Sequence, residues 1–174
     1  MFDWARYQAP VERIVEALVA SLRASRQIYF FGNGGSAAQA QHLAAELSGR
    51  FLLERRALAG LALSVDTSAL TAIANDYGFE RVFARQLEGL VQHGDVAVGL
   101  TTSGNSKNVI EALRVGRERG ATTVAFSGNG GGAIVQVADI ALVGPHGPSW
   151  KVQEVHLALG HIICELVELA LARP

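Results

Sequence analysis

Cysteine is almost missing from this chain. Cys164 stands alone among 174 residues, so no intrachain disulfide can form. Its apolar helical surroundings predict a buried, inert thiol. Neither sign of charge dominates: 15 Lys and Arg face 16 Asp and Glu, for a formal net charge of -1. No basic tract appears, which argues against nucleic acid as a partner. The N-terminus lacks the apolar core of a signal peptide, and no uninterrupted apolar run reads as long enough to span a bilayer. A cytoplasmic protein with no membrane partner is therefore expected. No linker or shift of composition divides the chain, so residues 1–174 are read as a single domain.

Apolar residues make up 49% and charged residues 18%, the composition of a folded domain able to bury a substantial core. Mean hydropathy is positive at +0.23, a surplus that suggests apolar surface covered by partner subunits. Helical spacing runs from Pro10 to Ala24, with Pro10 suited to a first helical position. Short apolar runs at Ile28–Phe31, Leu61–Val65, Val96–Leu100, Thr122–Phe126 and Asp139–Val143 predict five strands. Between and after them, helices are expected over 37–47, 68–74, 80–92, 108–117 and 151–172. This alternation predicts an α/β fold. Its five-stranded parallel sheet is doubly wound and flavodoxin-like, with helices on both faces and ligands at the carboxyl ends of the strands.

Two loops of the same make follow two of those strands. The first is Gly32-Asn33-Gly34-Gly35-Ser36, and the second is Thr101-Thr102-Ser103-Gly104-Asn105-Ser106. Each offers backbone N–H groups and hydroxyls at a helix N-terminus, where a phosphate is readily held. A sugar-phosphate pocket follows from the pair. Gly32, Gly34 and Ala37 also match a dinucleotide-binding pattern, but Asp66 comes 34 residues after Gly32, where such a site needs an acid about 20 residues on. Neither loop is followed by a Walker-type lysine. Ser36 has a plain alternative role as a helix N-cap. A third loop, Gly128-Asn129-Gly130-Gly131, echoes the first without its serine and reads as a tight turn with no ligand.

His42 and Glu46 stand at i and i+4, on one face of the helix after the first loop. That spacing suits a metal ion, or a base with its orienting partner; a solvated ion pair is the plain alternative. The last helix carries Gln153, Glu154, His156 and His161. Gln153 and His161 lie roughly 12 Å apart along the axis and roughly 80° around it. One regular helix brings both to a single metal only if long side chains converge or subunits share the site. His93 and His146 read as loop residues.

Together these residues resemble the SIS-domain phosphoheptose isomerase family, the sedoheptulose-7-phosphate isomerases of heptose biosynthesis. The resemblance runs from about Ile28 to Glu168. It is carried by the first loop, His42 with Glu46, Asn75-Asp76, Thr102-Ser103-Gly104-Asn105-Ser106, and Gln153-Glu154 followed by His161. It implies a homotetramer with active sites between subunits, the N-terminal helix 10–24 contributing to assembly. It also implies one weakly held zinc per subunit at His42, Glu46, Gln153 and His161; glutamine is an uncommon ligand for that ion. The implied reaction converts sedoheptulose 7-phosphate into D-glycero-D-manno-heptose 7-phosphate through an enediol, with Glu46 as base and His161 as acid/base. Thr101, Thr102, Ser103 and Ser106 are expected to hold the phosphate. Asn33, Gly34, Gly35, Ser36, Asn75, Asp76 and Gln153 are expected to touch the sugar, alongside Glu46. The N-terminal segment is shorter than the family's usual helical arm.

The rival reading is a non-catalytic, tetrameric SIS adaptor that binds the bacterial replication initiator, which the chain resembles through His42 and Thr71–Asp76. That adaptor lacks the acidic residue and the last histidine, so Glu46 and His161 favour the isomerase. A sugar-phosphate sensor that regulates a partner is a third reading, disfavoured because no second domain is seen.

Overall fold

The computed structural model describes residues 4–172, so both ends of the expected domain lie outside the described residues. Five strands run parallel in the order β2-β1-β3-β4-β5: β1 (Ile28–Gly32), β2 (Gly60–Ala62), β3 (Val96–Leu100), β4 (Thr122–Ser127) and β5 (Ile140–Val143). This is the doubly wound, flavodoxin-like sheet expected from the alternation of strands and helices. The three central strands are buried along nearly their whole length, and a period of two sorts their side chains. Phe30, Val98, Leu100, Val124 and Phe126 face α1 (Trp4–Arg23), α2 (Gly35–Ser48) and α6 (Ser149–Ala172). Tyr29, Phe31, Ala97 and Ala125 face α4 (Ala84–Leu90) and α5 (Lys107–Glu118). Each fully buried large side chain, such as Phe31 or Leu113, contributes about 1.5–3 kcal/mol.

The chain reverses its winding direction between β1 and β3, which are neighbours in register from Ile28 opposite Val96 to Gly32 opposite Leu100. A crevice opens at the carboxyl ends of two strands where the strand order reverses in this way. Both phosphate-type loops leave the sheet there. Gly99 lets α5 close on the sheet beside them, since a Cβ at that position would meet Val109 Cγ1 at 2.7 Å.

Several elements differ from the sequence-based expectation. The first helix, Trp4–Arg23, already includes Trp4 and has Pro10 inside it. Loss of the Pro10 N–H is tolerated because Tyr7, Val11 and Ile14 are buried against the core, which fixes the turn from both sides. The second strand ends at Ala62 rather than Val65, because the chain turns at 63–64 towards α3 (Thr67–Tyr77), which Asp66 caps by accepting from Ala69 N at 2.9 Å. The helix expected over 80–92 is a 3-10 turn at Phe79–Arg81 followed by the shorter α4. α6 is long and apolar enough by composition to cross a bilayer. Here it is a core helix, with Val152, Leu159, Ile163 and Val167 buried.

Candidate active site

The N-termini of three helices meet at a cavity of about 300 Å³ lined by Asn33, Gly35, Ser36, Leu100, Thr101, Thr102, Ser106, Ser149 and Gln153. Gly35 and Ser36 open α2, Ser106 precedes α5, and Ser149 and Gln153 belong to the first turns of α6. The positive ends of three helix dipoles converge on this space, which favours an anion. Neither α2 nor α5 has its N-terminus closed by a side chain. Ser36 is therefore no N-cap: Gly34 holds that position at φ 54, and Ser36 is buried in the first turn. Ser106 turns its hydroxyl to Thr101 Oγ1 at 2.9 Å, leaving both oxygens at the cavity wall. Thr102 Oγ1 lies 3.1 Å from Ser149 Oγ. Ser149 escaped the sequence reading, its only signal being a hydroxyl just before a helical run.

The loops are tied to one another as well as to the cavity. Asn33 and Asn108 exchange two amide hydrogen bonds of 2.8 Å, which joins the first loop to α5. Ser103 is not among the residues lining the cavity, but its Oγ lies 3.4 Å from Thr101 Oγ1 and accepts from Asn105 N at 3.1 Å. The third loop holds no helix N-terminus open; it runs into a 3-10 helix at Ala133–Gln136 and packs against the second loop. Gly104 sits at φ +70, where an added Cβ would fall 1.8 Å from Gly131 O, so glycine is required on contact grounds as well as conformational ones.

α2 and α6 run side by side from this cavity. Gln39 Nε2 donates to Gln153 O at 2.6 Å. Further along, Gly160 admits Leu43, whose Cδ2 would be 2.7 Å from a Cβ at that glycine. One turn of close approach there brings His42 and His161 together: their Nε2 atoms are 2.7 Å apart, and His42 Nε2 is 3.1 Å from Glu46 Oε1. One ligand atom from each of His42, Glu46 and His161 lies within 4.8 Å of the others. Two imidazoles and a carboxylate fit the three-ligand pattern of a metal site with an open position. Around a tetrahedral ion with bonds of about 2.0–2.1 Å such atoms stand about 3.3 Å apart, so a small rotation of one ring admits the ion.

Gln153 does not share that cluster's place in the helix. Its amide lies against Gly35 in the cavity wall, where an added Cβ would be 2.5 Å from Nε2. Asn75 and Asp76 sit on the exposed last turn of α3, their side chains bonded to each other at 2.8 Å, outside the cavity wall. Glu154 is exposed on α6. Cys164 is buried, and that burial, with Glu46 close by, pushes its thiol up to about 12, as inert as expected.

Sequence reasoning also missed the support beneath His161. The ring of Phe51 stacks on it with centroids 5.6 Å apart and planes 16° from parallel. Nothing in the alternation of apolar residues marks Phe51 for this, because it lies in an irregular segment between α2 and β2.

A phosphate-type cavity at the switch point of this sheet, flanked by a His–Glu–His cluster, defines a SIS domain. Residues 5–128 match the SIS domain family. The chain is 50% identical over 162 residues to the phosphoheptose isomerase of Aquifex aeolicus, covering 93% of this chain and 85% of the relative. It is 51% identical over 170 residues to that of Paramagnetospirillum magneticum, covering 98% and 88%. The solved phosphoheptose isomerase of Neisseria gonorrhoeae superposes with a TM-score of 0.88 at 43% identity, covering 92% of this chain and 86% of that one. The chain belongs to the phosphoheptose isomerase family. The NanR protein of Vibrio vulnificus, with a TM-score of 0.66 at 18% identity, shares the fold alone.

Proposed function

We propose that the chain interconverts sedoheptulose 7-phosphate and D-glycero-D-manno-heptose 7-phosphate, with the cavity holding the phosphate and the His42–Glu46–His161 cluster serving C1 and C2. The observation that carries this reading is the spacing of the two features along one helix. Ser36 in the cavity and His42 in the cluster are six residues apart on α2, about 9 Å. A substrate with its phosphate at one end of a carbon chain and its carbonyl at the other fits that separation.

In this mechanism Thr101, Thr102, Ser106 and the α2 and α5 N–H groups bind the phosphate, which fixes the register of the sugar. Glu46 removes the C1 proton from the ketose and returns it at C2 of the enediol. His161 moves the proton between the two oxygens. A carboxylate and an imidazole suit such transfers near neutral pH. Gln153, at the wall between cavity and cluster, orients the sugar hydroxyls, and Asn33, Gly34, Gly35 and Ser36 contact them. Ser103 acts through the second loop. Zinc at His42, Glu46 and His161 would polarise the carbonyl and its enediolate; Gln153, the expected fourth ligand, would join it only if its side chain turned from the cavity wall or a neighbouring subunit shared the site.

We place this activity in a cytoplasmic homotetramer with active sites between subunits. Exposed apolar side chains support the assembly: Val65 (53% exposed), Tyr77 (57%) and Phe79 (61%) lie on and around α3, which buries none of its residues within one chain. Asn75 and Asp76 share that helix, so a packed partner would carry them to a neighbouring cavity. The test is turnover of sedoheptulose 7-phosphate by the purified chain, with and without added zinc. Aldose product lost in Glu46→Gln supports the reading. A folded tetramer with no turnover under either condition returns the chain to the adaptor reading.

A further inference from the structure

The side chains of Glu168 and Arg55 form a buried ion pair, Nε to Oε1 at 2.9 Å, two turns along α6 from His161. Glu168 also accepts from Phe51 N at 3.0 Å, Leu52 N at 2.7 Å and Leu53 N at 2.8 Å. Arg55 donates to the carbonyls of Glu46 at 2.7 Å, Leu47 at 3.0 Å, Gly49 at 3.3 Å and Arg56 at 3.0 Å. The pair thus closes the C-terminal end of α2, ties the 49–56 segment to α6, and holds Phe51 against the His161 ring.

A buried ion pair is a poor source of net stability, since desolvating two charges offsets most of their attraction. What this one fixes is position. It grips the backbone of Glu46 through Arg55 and sets Phe51 through Glu168, so two members of the His42–Glu46–His161 cluster are placed by one device on opposite sides. We propose that Glu168, Arg55 and Phe51 are positioning residues for the isomerisation, acting through the orientation of His161 and Glu46. This rests on the isomerase reading above. The stacked Phe51 ring restrains the tilt of the His161 imidazole, and a base or acid displaced by about 1 Å loses about 100-fold in rate.

The test uses the full chain as Phe51→Leu, Phe51→Tyr and Glu168→Gln, assayed with sedoheptulose 7-phosphate and zinc. Supporting cavity contacts are untouched, so kcat falls about 10- to 100-fold in Phe51→Leu while KM changes less than about twofold. Phe51→Tyr, which keeps the stacked ring, restores kcat. Glu168→Gln loses kcat in the same sense, and adding Phe51→Leu to it costs little more, as expected for residues on one path. If Glu168→Gln does not fold, the two Phe51 variants decide. A second readout needs no turnover: the His161 ring resonances, assigned through His161→Asn, shift when the ring current of Phe51 is removed. Wild-type kcat in Phe51→Leu, equal loss in Phe51→Leu and Phe51→Tyr, or an unmoved His161 resonance each overturns the proposal. Absence of turnover in the wild type would sink the isomerase reading instead, and the resonance shift then decides the placement of His161 by itself.

Discussion

His42 and His161 are 119 positions apart in the chain and 2.7 Å apart at their Nε2 atoms. At that distance one imidazole donates and the other accepts, so the two rings share a single proton when both are neutral. Glu46, 3.1 Å from the same His42 nitrogen, supplies the only carboxylate of the group. Replacing Glu46 with Gln keeps the shape and removes the base. The expected outcome is a kcat lower by about 100- to 10,000-fold with an unchanged circular dichroism spectrum. Normal turnover would reassign the base.

The second loop divides its hydroxyls between two tasks, and kinetics can separate them. Ser106 lines the cavity, whereas Ser103 lies behind that lining, accepting from Asn105 N and 3.4 Å from Thr101 Oγ1. A hydrogen bond to a charged phosphate contributes about 1.5–3 kcal/mol. Ser106→Ala is therefore expected to raise KM by on the order of tenfold or more with kcat nearly constant, because the phosphate is held alike in ground and transition states. Ser103→Ala should change KM less. Steady-state kinetics on both variants checks the division, and a larger KM effect at Ser103 contradicts it.

The sheet, its order and the cavity were legible because each rests on local signals: β-runs buried on both faces, and loops rich in glycine and hydroxyls at helix starts. His42 with Glu46 was legible for the same reason, being one helical turn apart. The approach of His161 to them was implied only by the family resemblance and by no local pattern, since it depends on Gly160 admitting Leu43 between two helices far apart in sequence. Ser149 and Phe51 are likewise placed by tertiary contacts. The helix bounds that shifted did so at caps and buried anchors: the turn towards the Asp66 cap shortened a strand, and Tyr7 with Val11 carried a helix through Pro10.

Gly35 gives a way to move Gln153 without disturbing the core. The three atoms nearest a Cβ at Gly35 all belong to the amide end of that side chain, Nε2 at 2.5 Å, Oε1 at 2.8 Å and Cδ at 2.9 Å. A flexible terminus can turn aside, so Gly35→Ala should leave the melting temperature within a few degrees, about the shift of 1 kcal/mol in a chain this long. It should nonetheless lower kcat/KM by about tenfold or more, because Gln153 leaves the wall between cavity and cluster. Thermal melts beside kinetics check the pair of outcomes. A large loss of stability with intact specific activity would show that the contact supports the fold alone.

His156 makes the fold itself sensitive to acid. It is fully buried beside Phe126, with Nε2 at 2.8 Å from Ser127 O and Nδ1 without a partner. Burial holds its pKa below the ordinary value of 6.5, against the opposing pull of the Ser127 carbonyl. The unfolded chain therefore takes up the proton first as pH falls, so the stability this neutral ring supplies is complete above 6.5 and is lost on descent towards the folded-state value. Glu168 adds a second loss below its ordinary 4.5: burial would raise it, but the N–H groups of Leu52, Leu53 and Phe51 and the Arg55 guanidinium hold it lower. His156→Gln keeps a donor for Ser127 O and removes the titrating ring. Its melting temperature should be lower than that of the wild type near neutrality and fall less steeply with pH below 6.5. Melts at several pH values measure both slopes, and parallel curves would place the acid sensitivity elsewhere.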